Sequence, residues 1–351
     1  MSVQTARLGV RSELRLRALR TEATAAVLVA GLLLSIVLAT TIGPAGISAG
    51  DVIATLLSHV GIGAGTLTGL RESIVWELRL PRVLAAAAVG AGLAMCGAVM
   101  QALVRNPLAD PYLLGLSSGA SVGAVVVLVL GVAIVLPVAA FLGALLALAA
   151  TLGLARAAGS LSPATTILAG IAVSAVFAAL TSLVIFWSAT GDSYREILSW
   201  LLGSLSGITW ESVVIAGGAL LVVAVPILLS ARTLDAFVLG DVAAAALGVR
   251  VGRTRVLLLM LTAVLTGALV SVSGAIGFVG LILPHAIRMV TGGLHRTLLP
   301  LSALAGAVFL MWADTLARTV FDPRELPVGI VTAIVGAPVF ALIMIRRGRA
   351  S

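Results

Sequence analysis

Long, unbroken apolar runs separated by short polar segments dominate the chain from residue 23 onward. Each run is about as long as the roughly 20 helical residues that cross a hydrocarbon layer of about 30 Å. The two-residue alternation of a membrane β-strand is absent from these runs. The pattern therefore predicts an all-α, polytopic membrane protein with about ten transmembrane helices, at residues 23–42, 83–104, 113–131, 134–155, 163–188, 212–230, 254–272, 276–291, 299–317 and 327–345.

Several segments between or within these spans predict shorter helices. Ser48 and Asp51 form a capping-box pattern that opens a short helix in the long outer segment 43–82. Within residues 191–211, the stretch YREILSWLLGSL is amphipathic and too short to span, which predicts a helix lying in the membrane interface.

Two further regions are less regular. The inner loop 231–253 mixes apolar residues with Asp235, Asp241 and Arg250, and it predicts one or two short helices on the cytoplasmic face. Region 269–292 contains several glycines and Pro284, so a half-helix is an alternative to a clean span there.

The arginines give an orientation. With ten spans and both termini in the cytoplasm, 16 arginines fall on the inner side and 6 on the outer side, as the positive-inside rule requires. The predicted outer boundaries carry tryptophans that suit an interfacial belt, namely Trp76, Trp187, Trp200 and Trp210. The predicted organisation is an N-terminal cytoplasmic arm (1–22), a single transmembrane domain (23–346) and a cytoplasmic tail (347–351).

A secretory signal peptide is the rival interpretation of the basic arm and the first apolar run. That run, 23–42, is about twenty residues long and more spans follow it. We therefore favour a retained first helix.

Composition excludes several classes of protein. The chain is 60% hydrophobic and only 10% charged, with a mean hydropathy of +1.20, so a water-soluble fold is excluded. All 22 basic residues are arginine. Without lysine there is neither a Walker-type phosphate-binding loop nor a Schiff-base nucleophile. The net charge of +8 reflects topology signals between spans and does not indicate nucleic-acid binding.

No metal or cofactor site is apparent. Cys96 is the single cysteine, and His59, His285 and His295 are far apart in sequence, so no metal-ligand cluster or disulfide is predicted. Metal that passes through such a protein would pass already chelated.

Three arginines lie at the predicted outer face. Arg79 and Arg82 belong to the stretch RLPR, and Arg318 follows Asp314 by one helical turn. A local interpretation pairs Asp314 with Arg318 at i,i+4. The alternative is that the arginines receive carboxylates of a docking protein. Ion-coupled transporters usually need buried ionisable residues within their spans. Asp314 is the only acidic residue well inside a predicted span, and it lies near the outer end, so the sequence argues against ion-coupled transport.

Long blocks of the sequence resemble the FecCD-type permeases, the membrane subunits of ABC importers for iron–siderophores, haem and cobalamin. These blocks are RLPRVLAAAAVGAGLAMCGAVMQALVRNPLADPYLLGLSSGASVG (79–123), WLLGSL (200–205), LGDVAAAALGV (239–249), SGAIGFVGLILPHAIR (273–288), HRTLLPLSALAGAVFLMWADTLAR (295–318) and ELPVGIVTAIVGAPVF (325–340). The resemblance implies the ten-helix type II ABC importer permease fold.

The resemblance also implies partners and roles. It implies a second permease subunit, identical or sister, an ABC ATPase dimer on the cytoplasmic side, and an extracytoplasmic substrate-binding protein. Arg79, Arg82 and Arg318 match positions that receive acidic residues of the binding protein. The loop 231–253 matches the coupling helices that seat in the ATPase, at Leu239, Gly240, Asp241, Leu247 and Gly248. Glycine at 240 and 248 permits the tight bends there. Positions similar to path-lining ones are Met100, Gln101, Ser174 and Thr181.

The predicted function is therefore that of a non-catalytic permease subunit in the bacterial cytoplasmic membrane, carrying a metal chelate by ATP-driven alternating access. Ferric siderophore is the expected substrate, with haem and cobalamin as rivals. An ion-coupled secondary transporter would need a buried ionisable site. A membrane enzyme would need clustered His, Asp or Glu at one depth. The sequence shows neither pattern.

Overall fold

The protein is helical throughout the part that the computed structural model describes, residues 3–63, 65–67, 69–132, 135–188 and 191–348. Within these ranges there is no β-strand. The fifteen α-helices are α1 (Val3–Thr41), α2 (Ala49–His59), α3 (Leu70–Ser73), α4 (Leu80–Val104), α5 (Leu116–Leu130), α6 (Leu136–Ala157), α7 (Pro163–Ser188), α8 (Gly191–Leu201), α9 (Trp210–Leu229), α10 (Ala231–Val238), α11 (Asp241–Ala246), α12 (Val251–Ser273), α13 (Val279–Thr291), α14 (His295–Thr319) and α15 (Val328–Gly348).

Seven of the helical segments in the described chain are long and apolar enough to cross a membrane. They are Leu19–Thr41, Leu70–Val104, Leu136–Ala157, Pro163–Trp187, Trp210–Leu229, Val251–Ser273 and His295–Thr319. Three shorter apolar helices, Leu116–Leu130, Val279–Thr291 and Val328–Leu342, coincide with the remaining three predicted spans. The segmentation of the chain thus follows the ten apolar runs, and the protein is a multi-pass membrane protein.

Two helices begin earlier than predicted. Helix α1 already starts at Val3, so the described part of the predicted arm continues the first span as one helix; residues 1–2 and 349–351 lie outside the described residues. Helix α3 runs through a π-helical segment, Ile74–Arg79, directly into α4. Pro81 does not interrupt it because a proline in the first turn gives up an N–H that has no α-helical partner. The two arginines of RLPR therefore lie in a helix and not in an outer loop.

The half-helix alternative is correct for region 269–292. Helix α12 ends at Ser273, the chain from 274 to 278 is not helical, and α13 has only 13 residues. At 1.5 Å per residue α13 is about 20 Å long, which is shorter than the hydrocarbon layer. Phe278, the residue before α13, adopts a left-handed conformation with φ of 69°.

The short helices also follow the sequence signals. Helix α2 has the predicted capping box: Asp51 N–H donates to Ser48 Oγ at 3.1 Å, and Ser48 N–H donates to Asp51 Oδ2 at 3.2 Å. The amphipathic stretch forms α8, and the inner loop forms α10 and α11.

Helix α4 is the centre of the packing. Most of its residues are buried, and it contacts α14, α13, α9 and α12. A Cβ atom added at Gly90 would lie 2.2 Å from the Gly306 carbonyl oxygen of α14, and one at Gly97 would lie 1.9 Å from the Gly280 carbonyl oxygen of α13. The helix backbones therefore touch directly, as small residues permit in membrane helices.

A methyl group at Gly90 tests this contact. Gly90→Ala places a Cβ against a backbone carbonyl that has no rotamer to escape, so we expect a loss of about 1–3 kcal/mol in the free energy of unfolding, or failure to fold. Gly217→Ala in α9 is the matched control, since no heavy atom lies within 4 Å of its added Cβ. Thermal unfolding of the two purified variants in the same detergent gives the comparison. Equal unfolding temperatures would contradict the proposed backbone contact.

Candidate functional site

The three arginines of the predicted outer face meet in one pocket. Residues from four parts of the chain enclose about 640 Å³: the segment after α1, the π-helical segment with α4, the end of α14, and the loop before α15. We call this the arginine pocket; its lining includes Gly43, Arg79, Arg82, Arg318, Asp322 and Glu325. The three arginines that the sequence assigned to the outer face thus line one pocket.

Arg82 is held by two carboxylates. Its Nε and Nη2 donate to Asp314 at 2.9–3.1 Å, and its Nη1 donates to Glu325 Oε2 at 2.8 Å. The Asp314 side chain is 2% exposed, whereas that of Glu325 is 44% exposed. The pair with Asp314 is therefore an interior bidentate ion pair that joins α4 to α14, and Glu325 closes it from the surface.

Arg79 and Arg318 have main-chain partners instead. Nη1 of Arg79 donates to the carbonyl oxygens of Thr40 and Thr41 at 3.1 and 2.9 Å, and Nη2 of Arg318 donates to the Ala39 carbonyl oxygen. Both guanidinium groups thus lie on the last turn of α1, where the carbonyl groups without helical partners carry partial negative charge.

The local interpretation, which paired Asp314 with Arg318, is wrong. Asp314 forms its hydrogen bonds with Arg82, 232 residues away in sequence, and not with Arg318 one turn along the same helix. Arg318 instead reaches across to α1. The i,i+4 spacing brings Arg318 near Asp314, but Arg82 on the adjacent helix offers bidentate hydrogen bonds, which are the stronger interaction.

A second surface lies at the end of α14 opposite the arginine pocket. We call it the α10–α11 face; it consists of α10, α11 and the residues that follow each of them, Leu239, Gly240, Leu247 and Gly248. Asp235 of α10 accepts hydrogen bonds from the backbone N–H of His295 at 2.9 Å and from its ring Nδ1 at 2.7 Å. From His295 to Asp314 the helix rises about 28 Å. A second bond, from Arg255 Nη2 to Asp241 Oδ1 at 2.6 Å, ties α11 to α12. The two short helices are therefore fixed to the long ones by side-chain bonds.

The α10–α11 face combines tight bends with exposed apolar side chains. Gly240 and Gly248 both have the positive φ that favours glycine, 102° and 85°, as the sequence predicted. Leu239, Val242 and Leu247 are 68%, 87% and 66% exposed. Asp241 is partly buried by its bond to Arg255. An exposed apolar patch on rigid short helices is typical of a protein interface.

A groove lined with hydroxyl groups runs along α5 and α7. Two adjoining cavities of about 420 and 330 Å³ share Tyr112 and Ser174. Thr181 lines the larger one with further serines, so both of these predicted path residues lie on the groove; the serines are Ser117, Ser118, Ser121 and Ser182. The rest of its wall comes from apolar residues of α7 and α8.

Tyr112 and Asp110 form one end of the groove. The Tyr112 hydroxyl donates to the Ile276 carbonyl oxygen at 3.0 Å and accepts from the Ile276 N–H at 3.1 Å, which fixes it to the non-helical segment before α13. Asp110 Oδ1 accepts the Tyr112 backbone N–H at 2.9 Å. Burial raises the pKa of Asp110 to about 6, with the Tyr112 N–H acting in the opposite direction.

Met100 and Gln101 lie elsewhere, contrary to their predicted place on the path. Both are buried between helices of this chain. Gln101 Nε2 donates to the carbonyl oxygens of Gly280 and Leu281 at 3.3 and 3.1 Å, and its Oε1 accepts from Arg288 Nη1 at 3.1 Å. The amide satisfies backbone groups at the start of α13, so its polarity has a structural cause.

The sequence did not single out Glu325, Arg255 or the pairing of Asp235 with His295. Each depends on a partner in a different helix. Glu325 and His295 stand at the first positions of two of the resembling blocks, which is the one signal that marked them.

Comparison with known proteins agrees with this architecture. Residues 31–346 match the FecCD transport family. The chain is 43% identical to the uncharacterized ABC transporter permease protein YvrB of Bacillus subtilis, covering 79% of this chain and 80% of that protein. It is 41% identical to the hemin transport system permease protein HmuU of Yersinia pestis (78% and 84% covered). It is 43% identical to the Fe(3+) dicitrate transport system permease protein FecD of Escherichia coli (78% and 85% covered).

A solved structure shows the same fold. The chain superposes on a transporter assigned to the metal-chelate type of ABC transporter, in an inward-facing conformation, with a TM-score of 0.79 and 32% identity, covering 91% of this chain and 97% of that one. The family match and the shared fold thus define a membrane permease of the ABC importer class. The chain belongs to the FecCD transport family.

Removal of the interior carboxylate tests the ion pair of Arg82. We expect Asp314→Asn to lower the free energy of unfolding by about 3 kcal/mol, because the guanidinium loses its buried counter-charge. Glu325→Gln is the matched control: it removes the exposed partner of the same arginine, and a change within about 1 kcal/mol is expected. Thermal unfolding in lipid nanodiscs measures both. Equal destabilisation of the two variants would contradict the interior role of Asp314.

Proposed function

We propose that this protein is the permease subunit of an importer that moves a metal chelate, with ferric siderophore as its substrate, by ATP-driven alternating access. The observation that carries this proposal is the hydroxyl-lined groove along α5 and α7. Hydroxyl groups donate and accept hydrogen bonds as their rotors turn, which suits an oxygen-rich chelate that must be bound weakly and released.

A second permease subunit completes the path in this proposal. Helix α7 presents large apolar side chains beside the groove: Ile171, which lines its smaller cavity, and Phe186 are 55% and 84% exposed. The groove is open on this side, and a second copy or a sister subunit packed there would close it into a channel between the two chains.

The α10–α11 face supports the proposed contact with an ABC ATPase dimer. Its exposed Leu239, Val242 and Leu247 suit an apolar seat in a partner, and the bonds of Asp235 and Asp241 to α14 and α12 would carry a displacement into the membrane helices. The chain itself has no lysine for a Walker-type nucleotide loop. In this proposal the ATPase partner supplies the chemical step.

The arginine pocket supports docking of an extracytoplasmic substrate-binding protein. Its three arginines suit carboxylates on the partner, since a guanidinium fork matches a carboxylate in geometry and charge. This assignment puts the arginine pocket on the outer side of the cytoplasmic membrane. It puts the α10–α11 face and both chain termini on the cytoplasmic side. The arginine bias of the sequence favours the same orientation.

Haem and cobalamin are the rival substrates. One relative is named for hemin and another for ferric dicitrate, so the family carries more than one chelate. Siderophore is favoured because the described walls of the groove are rich in serine and threonine, whereas haem and the corrin ring present large apolar surfaces.

Ion-coupled transport is the alternative from another class. It requires an ionisable group that takes and releases the coupling ion beside the substrate path. The Asp314 carboxylate inside α14 is held by Arg82 in the arginine pocket and does not line the groove. The position of Asp314 therefore favours a structural role for this residue. Asp110 is the ionisable group that the described groove does contain, and its bond to the Tyr112 backbone N–H gives it a local structural role.

Uptake by proteoliposomes tests the proposal. The permease is reconstituted with the ATPase and binding protein that co-purify with it, and is offered labelled ferric siderophore, haem and cobalamin separately. We expect ATP-dependent accumulation of the siderophore. Preferential uptake of haem or cobalamin would overturn the substrate, whereas accumulation by the permease alone under an ion gradient would overturn the ABC mechanism.

The α10–α11 face generates a separate prediction. A charge at Val242, the most exposed of its apolar residues, would have to be buried without a partner on docking, so Val242→Asp should weaken ATPase binding about tenfold or more. Ala246→Ser on the same short helix is the control, because it adds one hydroxyl to an exposed side chain. Co-purification of the ATPase and the thermal stability of each permease variant are measured together. Full ATPase retention by a folded Val242→Asp variant would contradict the assignment.

A further inference from the structure

Glu325 occupies the arginine pocket in the way that a carboxylate of a docking protein would. We propose that Glu325 is an internal competitor, which occupies Nη1 of Arg82 in the free permease and is displaced when the substrate-binding protein docks. The inference rests on the proposed function of the arginine pocket. It adds a residue that sets the affinity of docking and that is not one of the three arginines.

The hydrogen-bond donors of Arg82 show why Glu325 would compete with an incoming carboxylate. A guanidinium group has five N–H donors. Asp314 takes the edge formed by Nε and Nη2, and Glu325 takes Nη1 at 2.8 Å. A carboxylate that approaches from the pocket would need the donors of the remaining edge, Nη1 and Nη2. Glu325 therefore stands in the place that the incoming group requires.

The two carboxylates differ in how readily they can leave. Asp314 is 2% exposed and bidentate, so its release from Arg82 would leave its own charge buried without a partner. Glu325 is 44% exposed and makes one bond to Arg82, and its charge can return to water. Exchange at Arg82 therefore removes Glu325 and leaves the pair with Asp314 in place.

The backbone next to Glu325 allows this exchange without refolding. Leu326 N–H donates to the Ala317 carbonyl oxygen of α14 at 2.9 Å, and α15 begins two residues later. The chain is anchored directly after Glu325, so a change of its side-chain rotamer suffices to free Arg82.

The other two arginines explain why docking remains favourable. Arg79 and Arg318 donate to carbonyl oxygens of α1, which carry only partial charge. Their positive charges attract an acidic partner at a distance, whereas Arg82 is matched by Asp314 and Glu325 until contact. Glu325 thus reduces the strength of docking, while Arg79 and Arg318 still attract an acidic partner.

The test measures binding-protein affinity in the assembled importer. The probe is the substrate-binding protein that co-purifies with the permease, titrated against permease–ATPase complexes in nanodiscs. We expect Glu325→Gln to lower the dissociation constant about threefold to fivefold, because docking no longer breaks an ion pair. The dissociation constant should also depend more steeply on salt than in the wild type, since the net number of ion pairs formed is larger.

Two controls separate displacement from a general change in charge. Glu77→Gln removes another exposed carboxylate, in the π-helical segment beside the pocket, and should change the dissociation constant less than about twofold. Arg82→Lys keeps a positive charge next to Asp314 but removes the second arm of the fork. In that background the gain from Glu325→Gln should vanish, because the two residues act through one bond.

Several outcomes overturn the inference. An unchanged or weaker affinity of Glu325→Gln would show that Glu325 does not compete, and an equal gain in Glu77→Gln would reduce the effect to net charge. A gain that persists in Arg82→Lys would show that it does not act through Arg82. If no binding protein associates with the wild-type importer, the proposed function of the pocket fails, and that result is separate from the others.

Discussion

The direct contact between α4 and α14 is the constraint on which the rest of the structure depends. Gly90 and Gly306 bring the two backbones together, and the Arg82–Asp314 ion pair joins the same helices at one end. In lipid, apolar side chains gain little from leaving their solvent, so close packing and buried polar bonds must hold the helices. Helices α4 and α14 are more buried than α7 and α9, which keep apolar surfaces exposed. The rigid centre of the protein therefore lies in α4 and α14, whereas the groove runs along α5 and α7.

The spans and their caps were readable from the sequence because they depend on neighbours along the chain. The length of each apolar run sets a membrane helix, and Ser48 with Asp51 caps α2 through a spacing of three residues. The positive φ at Gly240 and Gly248 was likewise expected from glycine in a short, tightly bent loop. The resemblance of long sequence blocks to a known family then added what local patterns cannot give, namely an expectation of which loops meet partners.

Contacts between distant residues were not predictable in the same way. Asp314 had a plausible partner one turn away, and only the packing of α4 on α14 brings Arg82 closer to its carboxylate. Gln101 was expected on the path from the family resemblance, but its amide donates to carbonyl groups at the start of α13. In both cases a polar residue in a span has two possible causes, and the tertiary neighbours decide between them.

Helix α14 has a mechanical consequence for the whole molecule. His295 at its first position is bonded to Asp235 in α10, and Asp314 near its other end is bonded to Arg82 in the arginine pocket. Its 25 residues span about 37 Å, with Pro300 as the place in the helix where a hydrogen bond is missing and bending is easiest. One continuous helix therefore connects the two surfaces, so a displacement along its axis at one surface reaches the other.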